Sequence, residues 1–243
     1  MSVADRILPR PAIAADRDIL PLENGDTLSR AEFERRYDAM PDLKKAELIE
    51  GIVYMPPALR HDQHGSPHGQ MMHWLGHYAY ETPGIELSDN ASVRLDLDNM
   101  PQPDCALFLP PFLGGTARFG ADGYYEGAPD LVCEIAASSA SIDMHQKLHV
   151  YRRNGVREYL IWRVLEKAFD WFVLDASGYV PLAPAESGIL QSPLFPGLWL
   201  DPGTLLRSRR SKYLAALYQG LASPEHAAFV ARLFEGERGA SVP

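Results

Sequence analysis

This sequence of 243 residues is poor in cysteine and has no long apolar run. Its two cysteines, Cys105 and Cys133, lie far apart and outside any paired-Cys motif, so neither a disulfide framework nor a thiolate zinc site is indicated. No apolar stretch approaches the roughly 18 residues that a membrane span requires. Asp, Arg and Pro also interrupt the N-terminal segment, which argues against a signal peptide. We therefore expect a cytoplasmic protein without a membrane segment.

Motifs for several common chemistries are also missing. The sequence contains no P-loop, no GxGxxG, no GxSxG and no HExxH. Nucleotide hydrolysis, dinucleotide redox chemistry and serine hydrolase chemistry are therefore without support. Five of the eight histidines do lie between His61 and His77. Because His73 and His77 share a helical face, zinc is the alternative metal, although no third ligand is marked.

The composition is that of a globular protein, and its charge is unevenly distributed. Hydrophobic residues make up 46% and charged residues 23%, which allows a sizeable core. The net charge is -9, but residues 1–143 hold 23 acids and 11 bases, whereas residues 144–243 hold 9 acids and 12 bases. The second part is compatible with a basic surface that binds phosphate. A solvated basic face is the alternative interpretation.

The order of the expected elements favours an α/β domain with a central mixed β-sheet flanked by helices. We expect an extended, proline-rich arm over residues 1–27, the domain itself over 28–206 and a helical extension over 207–243. In the first half of the domain the sequence predicts a short helix after Ser29, a hairpin over 46–56, and a polar His-rich loop to about His68 that leads into an amphipathic helix. Two adjacent strands, ending in PDCALFLP, and a Gly-rich connection over 110–127 should follow. The second half should contain a central strand at DLVCEIAA, a helix capped by residues 138–141, and two paired strands joined at 165–167.

Two carboxylates stand out because of their positions in the predicted strands. Glu134 lies inside the apolar run of the central strand, so it must be paired, protonated or bound to a cation. Asp104 opens the neighbouring strand at the end of the sheet. Carboxylates from adjacent strands form a hard-oxygen site suited to Mg²⁺ or Mn²⁺. Because side chains alternate along a strand, Cys105 and Cys133 should face the other side, as small core residues.

Lys147 is the basic residue that could complete such a site. It follows Asp143 by four residues, on the helix after the Glu134 strand. Taken alone, this spacing is explained as simply by an exposed i,i+4 salt bridge worth about 0.3 to 0.5 kcal/mol. The order of the parts favours a functional role: an Asp at a strand edge, a Glu in a central strand, then a Lys on the next helix.

Seven segments, in one order, resemble a known family. They are ELIEG at 47–51, His68 before an apolar helix, QPD at 102–104, APDLVCEIAASS at 128–139, Asp143 with Lys147-Leu-x-x-Tyr151, GVREYLIW at 155–162 and SPLFPGLWLD at 192–201. Over residues 28–206 the chain resembles the bacterial Uma family of putative restriction endonucleases, in the PD-(D/E)XK nuclease superfamily. The resemblance implies a restriction-endonuclease-like fold and an endonuclease, dependent on Mg²⁺ or Mn²⁺, that hydrolyses phosphodiester bonds in DNA.

The resemblance also implies roles for single residues. Asp104 and Glu134 match the two acidic metal ligands of the superfamily. Lys147 matches a lysine that the family places on the following helix, where it would orient the attacking water or stabilise developing negative charge. The superfamily usually has its lysine two residues after the second acid, and that position is Ala136 here. The role of Lys147 therefore requires that the lysine has moved from the strand of the second acid to the following helix.

Glu47 is the fourth catalytic candidate, and three further residues are candidate contacts to the substrate. Glu47 matches an early Glu of the family, which would support the metal or orient Lys147, and packing at the hairpin is the other interpretation. His68 matches the histidine that precedes the helix. His68, Arg152 and Arg153 are candidate contacts to the substrate.

Two functions follow from these patterns. The first is an active endonuclease, suggested by the Asp104, Glu134 and Lys147 set. The second is a non-catalytic, dimeric interaction protein that retains the fold, suggested by the acidic charge, by Ala136 and by the terminal segments outside the resemblance. We expect a homodimer in either case, because the arm and the C-terminal helices could clasp a second copy and two-fold dimers are the commonest assemblies.

Overall fold

The computed structural model describes residues 19–137, 140–207 and 212–240. Its helices are α1 (Arg30–Asp38), α2 (Ser66–Glu81), α3 (Ala140–Ile142), α4 (Leu148–Asn154), α5 (Pro202–Leu206), α6 (Ala215–Leu221) and α7 (Pro224–Ala240). Its strands are β1 (Glu47–Ile49), β2 (Ile52–Tyr54), β3 (Glu86–Asp89), β4 (Val93–Arg94), β5 (Cys105–Phe108), β6 (Arg118–Phe119), β7 (Tyr125–Glu126), β8 (Leu131–Ala136), β9 (Glu158–Arg163), β10 (Ala168–Asp175), β11 (Gly178–Pro181), β12 (Leu190–Gln191) and β13 (Trp199–Leu200). Two π-helical turns, His61–Gly65 and Asp143–Lys147, precede α2 and α4.

A six-stranded mixed sheet with the order β11-β10-β9-β8-β5-β3 forms the centre of the fold. Within this sheet, β8 and β9 form the one parallel pair, and the helical crossover through α3 and α4 joins them. Every residue of β8 is buried, because helices cover both faces of the sheet there. The near-continuous apolar run of β8 predicts this burial.

The two faces of the sheet have separate cores. Leu131, Cys133 and Ile135 of β8 point into the larger core, which α2, α6 and α7 cover. Val132 and Ala136 point the other way, towards α4. Since side chains alternate, Glu134 lies on the α4 face, and the cysteines lie on the α2 face as the alternation predicts. The helices of the predicted C-terminal extension thus pack on the main core.

The β1–β2 hairpin forms a separate two-stranded sheet, and it brings Glu47 next to the central sheet. Its turn is Glu50-Gly51, with positive φ at both residues, 52° and 75°. Such two-residue turns match the right-handed twist of the strands. The hairpin is anchored by hydrogen bonds between Leu48 and Met100 in both directions, so the chain just before Asp104 is tied to it. The sequence predicts this hairpin correctly.

A buried carboxylate, Glu158 at the start of β9, links the sheet to the segment after β12. Its Oε1 accepts hydrogen bonds from the Ser192 hydroxyl at 2.7 Å and the Leu194 N–H at 3.0 Å. Its Oε2 accepts one from the Trp171 indole at 2.9 Å. Glu158 therefore fixes the segment that leads to β13.

Two expected loops contain regular structure instead. The His-rich segment forms the π-helical turn His61–Gly65 and the first turn of α2. The Gly-rich connection contains β6 and β7, and β7 pairs with β4 in a separate three-stranded sheet. Both elements depend on contacts that are distant in sequence: the Arg94 guanidinium, for example, binds Glu34 and Asp122.

Some expectations fall outside the described residues. These are the arm over residues 1–18 and the part of the helix cap at positions 138 and 139. The boundaries at 27 and 206 stay predictions. In the ranges that the structure covers, every helix is too short or too polar to cross a membrane.

Candidate active site

A cleft of 1280 Å³ opens at the end of the central sheet where β5 begins and β8 ends. Its walls come from the β1–β2 hairpin, from residues 55–60, 63 and 64, and from the turn before α4. The four residues proposed from the sequence as catalytic all line it: Glu47, Asp104, Glu134 and Lys147. The fold therefore collects side chains from four elements in one open site.

Asp104 and Glu134 lie side by side because of the strand register. Cys105 of β5 is paired with Cys133 of β8 in an antiparallel ladder, so Asp104 stands opposite Glu134 on the same face. Asp104 Oδ2 accepts a hydrogen bond from the Ile135 N–H at 2.8 Å. Both carboxylates are buried, with 3% and 2% of their surface exposed.

Lys147 lies among three carboxylates. Its Nζ is 2.9 Å from Glu47 Oε1, 3.0 Å from Glu134 Oε1 and 3.6 Å from Asp143 Oδ1. The π-helical turn buries both Asp143 and Lys147, so the pair is not the exposed i,i+4 salt bridge that the spacing alone suggests. Lys147 thus reaches the two acids that belong to other elements.

Glu47 fixes the position of the lysine. Its Oε1 also accepts a hydrogen bond from the Gln102 N–H at 2.8 Å, which holds the carboxylate against the chain that leads to Asp104. Tyr151 of α4 donates its hydroxyl to Glu134 Oε1 at 2.8 Å.

Burial and crowding of like charges dominate the electrostatics. Burial raises the pKa of Glu134 against the effect of Lys147, and with the neighbouring carboxylates Asp104, Asp143 and Glu47 the pKa reaches about 8. Burial alone would lower the pKa of Lys147, but Glu134, Glu47 and Asp143 raise it well above its ordinary value, so the amine stays charged. The site holds more carboxylates than this one ammonium neutralises.

Lys45, the second cationic group of the cleft, is not predicted from the sequence. Lys45 Nζ lies 3.4 Å from Asp104 Oδ1, and His64 Nε2 lies 3.6 Å from the same oxygen. Asn90, whose φ is 51°, accepts a hydrogen bond from Lys45 at 3.3 Å. The Lys-Lys pair before Glu47 was the available signal for Lys45. No local pattern points to His64, because its position depends on the π-helical turn.

The three predicted substrate contacts do not line the cleft. His68 lies behind it, where its Nε2 is 3.1 Å from the Asp104 carbonyl and 3.0 Å from Asp89 Oδ1. Arg153 pairs with Glu50 at 3.1 Å, outside the cleft. Arg152 packs beside Gly178 at the β10–β11 turn. His68 supports the site from behind, and the two arginines lie away from it.

The histidines that suggested zinc are occupied elsewhere. His73 contacts the Tyr213 hydroxyl, and the ring of His77 packs edge-on against Tyr218. Within the described ranges, no three His, Cys, Asp or Glu side chains are arranged as a complete set of metal ligands. A metal in the cleft would need ligands besides side chains.

Comparison with known proteins identifies the family. A family model described as Uma2, putative restriction endonuclease, matches residues 30–203. The chain belongs to the Uma2 family. The predicted resemblance is therefore confirmed. Among curated proteins there is no match.

A solved structure supports the fold of this Uma2 chain. A putative nuclease of the DUF820 group from Anabaena variabilis superimposes with a TM-score of 0.53 at 13% identity. The match covers 71% of this chain and 96% of the Anabaena chain. The restriction-endonuclease-like α/β fold predicted from the sequence is thereby confirmed. The Uma2 match ends before α6 and α7, which pack on the same core.

Proposed function

We propose that this Uma2 protein is a metal-dependent endonuclease that hydrolyses phosphodiester bonds in DNA through Asp104, Glu134 and Lys147. One observation carries the proposal: the antiparallel register places the two acids side by side in an open cleft, and Lys147 lies within 3.0 Å of Glu134. The family description favours nucleic acid as the substrate. The proposed homodimer is not needed for this arrangement.

The donor set suits a hard divalent cation. Asp104 and Glu134 offer carboxylate oxygens, and Ile135, which follows Glu134, also lines the cleft and would offer its carbonyl. Mg²⁺ is commonly held by one or two carboxylates and keeps several waters, so a complete set of protein side chains is not required. A divalent cation would also neutralise the excess of buried carboxylates. When bound, the cation would activate water and offset charge on the phosphate.

The side chains of this chain would divide the remaining work. Asp104 and Glu134 would hold the cation, and Asp104 is oriented for this by the Ile135 N–H. Lys147, fixed by Glu47, would orient the attacking water or stabilise the developing negative charge on the phosphate. Tyr151 would keep Glu134 in place by its hydrogen bond.

The test is cleavage of plasmid DNA and of labelled oligonucleotides in Mg²⁺, in Mn²⁺ and in EDTA. Lys147→Met and Asp104→Asn should each lower the rate about 100-fold or more, in line with the loss of one group that stabilises the transition state. Lys167→Met, at an exposed turn, is the matched control and should cleave like the wild type. Cleavage that survives EDTA, or that neither site variant changes, would refute the assignment. A wild type that cleaves nothing would favour the non-catalytic interaction protein.

A further inference from the structure

An exposed apolar ledge borders the cleft beside its charged residues. It consists of Met55, Pro56, Pro57, Ala58 and Leu59, which all line the cleft. All but Met55 are exposed, and Leu59 has 63% of its surface accessible. Two successive prolines keep such a segment extended at little cost in conformational entropy. The proposed hydrolysis of a phosphodiester does not use this ledge.

Basic side chains stand next to the ledge. Arg60 follows it directly, and Lys44, Lys45 and His64 line the same cleft. The side chain of Lys45 is held in place by Asn90 and Asp104 and keeps 21% of its surface exposed. The cleft therefore offers charge for a phosphate and an apolar surface within one binding site.

This combination distinguishes between forms of nucleic acid. A duplex presents phosphates, sugars and base edges, because stacking covers the faces of its bases. A single strand presents base faces, and proteins bind them on apolar or aromatic side chains next to a basic path for the backbone. The exposed ledge beside basic side chains matches the second form.

We propose that the cleft takes an unpaired nucleic acid strand, with a phosphate at Lys45 and a base packed on the ledge around Leu59. The inference rests on the proposed function, because nucleic acid is its substrate. It narrows that substrate to single strands, or to unpaired segments of a duplex.

The test measures binding by fluorescence anisotropy, with a labelled single-stranded oligonucleotide and the duplex of the same sequence. Ca²⁺ at a fixed concentration replaces Mg²⁺ in the buffer. Gel electrophoresis checks that the oligonucleotide stays intact. The single strand should bind about 10-fold more tightly than the duplex, a difference of about 1.4 kcal/mol, because it presents base faces to the ledge. Leu59→Ser should weaken binding of the single strand about 5-fold or more and leave its dependence on salt unchanged.

The salt dependence separates the two parts of the proposal. Lys45→Met should reduce the slope of log K against log salt by about 0.7, the value for one phosphate contact with a single strand. Leu165→Ser and Lys167→Met are matched controls at an exposed turn, and neither should change affinity or slope. Circular dichroism checks that each variant is folded.

The outcomes also separate this inference from the proposed function. Equal or tighter binding of the duplex, or an unchanged affinity in Leu59→Ser, would overturn the inference while leaving metal-dependent cleavage intact. The opposite result is single-strand binding that Leu59→Ser weakens, combined with no cleavage in any metal. It would overturn the proposed nuclease function and support the binding of single strands in the cleft.

Discussion

Replacement of Glu158 by Gln should change the free energy of unfolding in a way that depends on pH. Burial raises the pKa of Glu158 from its ordinary 4.5 to about 7, although Ser192, Leu194 and Trp171 all donate hydrogen bonds to it. Between these two pH values the folded protein binds a proton that the unfolded chain has released. Stability contributed by this group is therefore lost as pH rises from about 4.5 to about 7, and the loss is constant above that range.

The magnitude follows from the two pKa values. Each pH unit across the interval costs about 1.4 kcal/mol, so ionisation of Glu158 costs about 3 kcal/mol at pH 8. Gln carries no such cost. However, its Nε2 would face the Trp171 N–H in place of an accepting oxygen, and an unmatched buried donor costs about 1 to 3 kcal/mol. Glu158→Gln should therefore be destabilising at pH 5 and close to neutral, or stabilising, at pH 8.

The assay is urea unfolding followed by tryptophan fluorescence at constant ionic strength, at several pH values between 5 and 8.5. Trp171, which contacts Glu158, reports on this region. The difference between wild type and variant cancels the titration of Glu134, which both proteins share. A difference that stays constant within about 0.5 kcal/mol over the whole range would refute the reasoning, because the linkage requires about 3 kcal/mol.

Three other changes test separate parts of the structure. Lys147→Met should destabilise the fold by about 3 to 5 kcal/mol, because it leaves buried carboxylates without their cation, and adding Glu134→Gln should recover part of the loss in urea unfolding. Arg153→Ala removes a half-exposed ion pair, so it should lower the free energy of unfolding by less than about 1 kcal/mol and leave DNA cleavage unchanged. A large loss of cleavage would instead support a contact between Arg153 and the substrate. Gly51→Ala places a Cβ at a φ of 75°, 3.3 Å from the Leu28 carbonyl, and should lower stability by about 1 to 3 kcal/mol in thermal unfolding; an unchanged midpoint would contradict the turn geometry.

The parts of the fold that the sequence predicts well are those that local pattern determines. The apolar run of β8 indicates a strand buried on both faces, and a lone Glu134 within it is conspicuous because it conflicts with its surroundings. Alternation along two strands is enough to place Asp104 and Glu134 on one face. These inferences need only neighbouring residues and the period of a strand.

The remainder of the site depends on contacts between distant segments. Lys45 and His64 reach Asp104 only because the hairpin and the turn before α2 fold against the beginning of β5. The cluster of basic residues suggested Arg152 and Arg153 as substrate contacts. Whether a charged side chain can meet a substrate also depends on its ion pairs with acids and on its position in the fold. Composition alone reports neither.

The turn before α4 determines which way Lys147 points. A π-helical turn contains one residue more than an α-helical turn, and each residue of an α-helix rotates the chain by about 100°. Deleting a single residue from Asp143–Lys147 would thus leave a helix of nearly the same length while turning every preceding side chain relative to α4. The direction in which the Lys147 side chain leaves the helix therefore depends on the extra residue of this turn.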